Sequence, residues 1–215
     1  KINIEAQDEA GLFYAFVTLS QIIEDAQGKL FPLLEINDAP KIAFRPIQID
    51  IKHHREKESY YYELMDHLAQ LKINGVILEI EDKLQYKRRP EVGSDDAMTI
   101  DQWKAISEYA QQRNINISPL VQGLGHASFI LKHEKNFALR DDPKSDWAFN
   151  PLDPKTYELQ FDLYLDAMEA TPYGKYLHVG GDEVKTTGRN SGISALELNI
   201  IWLNMMSCSA PNNSE

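Results

Sequence analysis

Ile73-Asn74-Gly75-Val76-Ile77-Leu78-Glu79-Ile80-Glu81-Asp82 is the stretch on which the fold turns. Residues 76–80 are almost continuously apolar, the signature of a strand buried on both faces, and such strands belong to parallel sheets. The flanks supply what a parallel sheet needs. Upstream, residues 59–71 place Tyr61, Leu64, Met65, Leu68 and Leu71 along one helical stripe, and residues 46–51 read as a preceding strand. Downstream, after a loop at 87–96, Thr99 and Gln102 form a capping-box pattern for a helix bearing Trp103, Ile106 and Ala110. Residues 115–121 read as a third strand. Asp153-Pro154 then starts a helix with Tyr157, Phe161, Tyr164 and Met168 in register, and Pro172 ends it before a fourth strand at Tyr176.

Strand and helix alternating in this way predict an α/β protein with a parallel sheet, open or closed. No glycine-rich phosphate loop follows a strand, which disfavours a nucleotide-binding sheet. A closed (β/α)8 TIM barrel takes about 250 residues, and only four strands are evident from Phe44 onward, so the expectation is the first half of a barrel. Residues 1–6 alternate Ile2 and Ile4 with polar residues as a strand would, and residues 9–25 read as an apolar helix carrying Phe13, Phe16, Val17 and Ile23. A lone strand and helix cannot cover a sheet, so residues 1–38 are expected to end a small α+β domain. The linker Asn37-Asp38-Ala39-Pro40 leads to the half-barrel over 39–215.

Composition narrows the function. The 215 residues are 43% hydrophobic, enough for a substantial core, with 22 Lys and Arg against 33 Asp and Glu and a net charge of −11. That balance argues against nucleic acid and anionic membranes as partners, and Lys87-Arg88-Arg89 is too short a cluster to reverse it. No run approaches the ~20 apolar residues that span a bilayer. The single cysteine, Cys208, excludes an internal disulfide. A start at Lys1, without a methionine or signal sequence, leads to the expectation of a processed or truncated piece. Cytoplasm and periplasm both remain open as locations, as does the oligomeric state.

The chemistry concentrates in Lys175-Tyr176-Leu177-His178-Val179-Gly180-Gly181-Asp182-Glu183-Val184. A short β-prone run ends in two glycines that allow a tight turn, and the turn delivers adjacent carboxylates. Alternation puts Tyr176 and His178 on one face and Leu177 and Val179 on the other. Taken alone, the stretch is equally a solvated surface turn.

His178-Val179-Gly180-Gly181-Asp182-Glu183 resembles the catalytic signature of glycoside hydrolase family 20, the N-acetyl-β-hexosaminidases, and the likeness runs over nearly all of residues 1–205. Residues 11–21 resemble the helix that closes that family's small N-terminal domain. Pro119-Leu120-Val121-Gln122, Gly125-His126 and Phe129-Ile130-Leu131-Lys132-His133 depart from the family's Pro-Gly-His segment toward the hexosaminidase D-like branch. The resemblance implies hydrolysis of terminal N-acetylhexosamine from an oligosaccharide or glycoconjugate, with no cofactor and no metal. Either GlcNAc or GalNAc would serve, the branch hinting at tolerance of GalNAc. Glu183 would act as general acid and base, with a pKa raised by burial or a nearby charge, and Asp182 would stay ionised and hold the sugar's 2-acetamido group.

The remaining strand ends yield weaker candidates. Arg45, opening the first strand, matches the arginine that the family uses to hold sugar hydroxyls, although by position alone it reads as a surface ion pair. Asp50 is taken as a buried supporting carboxylate. Glu81 and Asp82 end the second strand, where they bind substrate or brace a histidine, or else pair with Lys83 and Lys87. His126 is expected to contact substrate or to bond to Asp82 or Glu81, and His178 and Gln122 to support the site. His53-His54 cannot ligate one ion from opposite faces of a strand, so no metal is assigned. The family's barrel has four further strands that carry an acetamide pocket. The 215 residues alone are therefore expected to associate or to be inactive, with a helix over 196–204 and a polar tail over 205–215. Two rivals are a non-catalytic carbohydrate-binding protein on the same scaffold and a metal-dependent amidohydrolase-type barrel, the latter disfavoured by the lack of His-x-His.

Overall fold

In the computed structural model, residues 1–28 and 33–184 are described. Helix α1 (Glu9–Ala26) comes first, followed by strand β1 (Pro46–Asp50), α2 (Glu58–Gln70), β2 (Gly75–Glu79), α3 (Ile100–Gln111), β3 (Asn116–Leu120), the short α4 (Ser128–Leu131) and α5 (Pro154–Ala170). The three strands lie in the order β1-β2-β3 and both pairings are parallel, so strand order in space is strand order in sequence. The register aligns Gln48 with Ile77 and Ser118, and Asp50 with Glu79 and Leu120.

Alternation along each strand then sorts the two faces of the sheet. Ile47, Ile49, Val76, Leu78 and Ile117 join the core formed with Met65 and Leu68 of α2, Trp103 and Ile106 of α3, and Leu159, Leu163 and Tyr164 of α5. Trp103 is fully buried, its indole N–H donating to the Lys83 carbonyl at 3.2 Å, and its ring meets Tyr61 at 5.0 Å. On the other face Gln48, Asp50, Ile77 and Glu79 form a more polar surface, with Ile77 half-buried. The expected capping box at Thr99 and Gln102 is present, and Asp153 with Pro154 opens α5 as its sequence requires.

Two expectations fail locally. Residues 1–6 are not in a strand, because no partner strand lies beside them among the described residues, and alternation without a partner cannot make a ladder. The fourth strand is reduced to one parallel bridge between Leu120 and His178. There His178 donates to Pro119 O at 3.0 Å and Val121 donates to His178 O at 3.1 Å. Just before it, the Ser118 hydroxyl accepts from the amides of Lys175 and Tyr176, both at 3.2 Å, doing the work of a ladder. The helix expected over 196–204 and the tail over 205–215 lie outside the described residues.

Candidate active site

The polar face of the sheet ends, at the carboxyl ends of its strands, in a network built on Glu79. This carboxylate is 3% exposed, and a buried charge persists only when neighbours donate to it. Gln48 Nε2 donates to Oε2 at 3.0 Å, while Gln122 Nε2 at 2.9 Å and Lys52 Nζ at 3.3 Å donate to Oε1. Lys52 also reaches Asp50 Oδ2 at 2.9 Å. Burial alone would lower the lysine's pKa, but the bond to Asp50 and the field of Glu79 outweigh it and push the value up, keeping the ammonium charged. Asp50 itself, expected to be buried, has a side chain 42% exposed on the inner face.

Gly180 and Gly181 turn the chain back over this network with φ of 70° and 104°. Glycine is required at 180, since a Cβ there would stand 2.2 Å from Gln122 Oε1 and 2.9 Å from the Gly123 amide. His178 Nδ1 accepts from the Gly180 amide at 3.1 Å, which closes the turn. The turn brings Asp182 and Glu183 beside His126, whose Nε2 lies 3.3 Å from Asp182 Oδ2 and 3.5 Å from Glu183 Oε2. Both carboxylate side chains are exposed, at 59% and 60%, so the burial expected to tune Glu183 is not supplied by the described residues. A cavity of about 250 Å3 opens between Gln48, Lys52 and Glu79 on one side and His126, His178 and Asp182 on the other. Its donors and acceptors suit a small, neutral, hydroxyl-rich ligand.

Several expected site residues lie elsewhere. Arg45 precedes β1 and therefore sits at the amino-terminal end of the sheet, opposite the cavity. Its guanidinium donates to the carbonyls of Lys72 at 3.0 Å and Ile42 at 2.7 Å and lies 5.5 Å from the centre of the Tyr14 ring, tying the linker and α1 to the sheet. Asp82 pairs with Lys83 at 3.3 Å and Lys132 at 3.4 Å instead of bracing His126, which turns to Asp182 and Glu183. Lys87, Arg88 and Arg89 are spent on Glu169, Asp166 and Asp162 of α5. Lys52, Glu79 and Gln48 were not singled out by the sequence. The signal was available for Lys52, which stands two residues past Asp50 at the correct end of β1.

Glu81 is 8% exposed, with a left-handed φ of 38°, and does not line the cavity. Burial, reinforced by Glu79, Asp50 and Asp82 and opposed by Lys52, pushes its pKa to about 8 from 4.5. The native state thus holds a proton that the unfolded chain releases above pH 4.5. Stability is full below that pH and declines as pH rises toward 8, by up to about 1.4 kcal/mol per unit. Glu81→Gln should match the parent's Tm near pH 4 and exceed it near pH 9. A Tm difference independent of pH would contradict this.

The comparisons with known proteins bear on this geometry. The family model "Glycosyl hydrolase family 20, catalytic domain" matches residues 43–197, and "Glycosyl hydrolase family 20, domain 2" matches residues 1–39. The chain belongs to glycoside hydrolase family 20. Hexosaminidase D of Bos taurus is 30% identical over 145 residues, covering 67% of this chain and 42% of the relative. A beta-hexosaminidase of Vibrio furnissii is 22% identical over 245 residues, covering 97% of the chain and 38% of the relative. Among solved structures, a family 20 beta-N-acetylglucosaminidase superposes with a TM-score of 0.74 at 25% identity, over 94% of this chain and 48% of that one. The Bacteroides fragilis beta-N-acetylhexosaminidase does so with a TM-score of 0.80 at 21% identity, over 95% and 47%. The chain spans about half the length of these family 20 relatives or less, and its fold is that of the first half of their (β/α)8 barrel.

Proposed function

We propose that the protein is a retaining exo-β-N-acetylhexosaminidase that removes terminal GlcNAc or GalNAc by a substrate-assisted route. The observation that carries the reading is the pair Asp182 and Glu183, delivered by a two-glycine turn, with Asp182 lining a polar cavity and His126 within 3.5 Å of both carboxylates. Membership of family 20 supplies the reaction class.

In this reading the sugar's acetamido oxygen attacks the anomeric carbon as the glycosidic bond breaks, and Glu183 gives its proton to the departing oxygen. Asp182 accepts from the acetamido N–H and offsets the positive charge on the resulting oxazolinium. Glu183, now a carboxylate, takes a proton from water, which opens the ring from the other side and restores the β configuration. Lys52, held charged by Asp50 and Glu79, takes the hydroxyl-binding role that the resemblance gave to Arg45.

The test is hydrolysis of the 4-nitrophenyl N-acetyl-β-D-glucosaminide and galactosaminide by the intact natural protein, with EDTA present and Glu183→Ala as control. Turnover with a β-configured product, falling by about 10^2 to 10^4 in the variant, is the expected outcome. An inactive parent that still binds N-acetylhexosamine would overturn the assignment in favour of a carbohydrate-binding protein.

A further inference from the structure

Trp147 lies in the loop before α5, a region in which no motif was evident, and the structure brings it against both halves of the proposed acid machinery. Its indole N–H donates to the Glu183 carbonyl at 2.8 Å, and its ring packs on His126 with centroids 4.6 Å apart and planes at 51°. The loop that carries it is fixed to the loop that carries His126. The Ala127 amide donates to Trp147 O at 3.0 Å, the Phe149 amide to Leu124 O at 2.8 Å, and the Ser128 hydroxyl to Asp146 Oδ1 at 3.0 Å. Behind it the Asp141 amide donates to Ala148 O at 3.0 Å, and Arg140 donates to Leu131 O at 3.0 and 2.6 Å. The indole is therefore mounted on a braced support.

The stretch it holds is lightly built. The ladder to β3 is a single bridge at His178, and beyond it the chain passes two glycines and places Glu183 in the left-handed region with φ of 47°. A non-glycine residue stays there only when its surroundings hold it. A donor fixed on the Glu183 carbonyl sets the peptide plane that follows Glu183, and with it the direction in which the side chain leaves the backbone. The same indole limits the tilt of His126, which faces both carboxylates.

We infer that Trp147 is a positioning residue for proton transfer: its indole N–H fixes the backbone of Glu183 and its ring fixes His126, so that the acid meets the leaving oxygen in line. The inference rests on the proposed glycosidase reading, and its test separates the two. Trp147→Phe keeps an aromatic ring against His126 and removes the N–H. Hydrogen exchange, read by mass spectrometry on the peptide containing residues 179–184, needs no activity, and exchange there should quicken about tenfold in the variant, the equivalent of one lost hydrogen bond. Unchanged exchange overturns the inference whatever the enzyme does. In parallel, kcat on aryl and alkyl N-acetylhexosaminides should fall about tenfold for poor leaving groups and hardly at all for good ones, with KM within about twofold. Equal losses on every leaving group, or a change confined to KM, overturn it as well. A parent inactive on all these substrates counts against the glycosidase reading, while exchange still decides the contact.

Discussion

Glu183→Gln should lower kcat/KM by about 10^2 to 10^4 on substrates with alkyl aglycones and recover much of that loss on dinitrophenyl glycosides, whose departure needs no proton. Asp182→Asn should lose about 10^2 to 10^3 on both, since the charge it offsets develops whichever group leaves. The two side chains are adjacent and equally exposed, so neither burial nor sequence spacing distinguishes them. The leaving-group series does. Equal and parallel losses in both variants would remove the division of labour, and an inverted pattern would exchange the roles.

Gly125→Ala is expected to cost about 100-fold in kcat while leaving the protein folded. A Cβ at 125 would stand 2.6 Å from the Asp182 carbonyl and 3.3 Å from Val184 Cγ2, and the obstacle includes backbone that has to move. Gly125 is not in the left-handed region, so alanine adds no local strain and the displacement falls on the segment carrying both carboxylates. A shift of about 1 Å in a catalytic group is enough for a loss of this size. Gly181→Ala is the comparison, for a Cβ there meets nothing within 4 Å and the cost is the strain of φ at 104° alone, about 1 to 2 kcal/mol. Full activity in Gly125→Ala, with Tm unchanged, would mean that the close approach does not matter.

Apart from the short α4, which was not read from the sequence, the elements from β1 to α5 were legible because each carries its own local pattern. The stripe of α2, the apolar run of β2, the capping box of α3 and the Asp-Pro start of α5 are all readable within one turn or strand, and the observed bounds differ by a residue or so. What could not be read were facts about partners. Ile2 and Ile4 alternate as a strand would, but a strand exists only by pairing. Arg45 has the right chemistry at the wrong end, because a parallel strand delivers only its carboxyl end to the cavity. His126 stands out in the sequence, yet the two carboxylates that lie beside it, 56 and 57 positions on, could not be read as its neighbours. Trp147 carries no local signal, and only the fold brings it to Glu183.

Strand order that follows chain order also sets a sequence of events. As the chain emerges amino end first, each β–α unit can dock on the edge left by the one before, with no strand waiting for a later one to be inserted between neighbours. The Asp182 and Glu183 segment arrives after the loops bearing Gly125, His126 and Trp147 are already in place as a mould. A nascent chain that has released only β1 to α5 thus still lacks the Asp182 and Glu183 pair on which the proposed reading depends, although the loops that touch that pair have already been made.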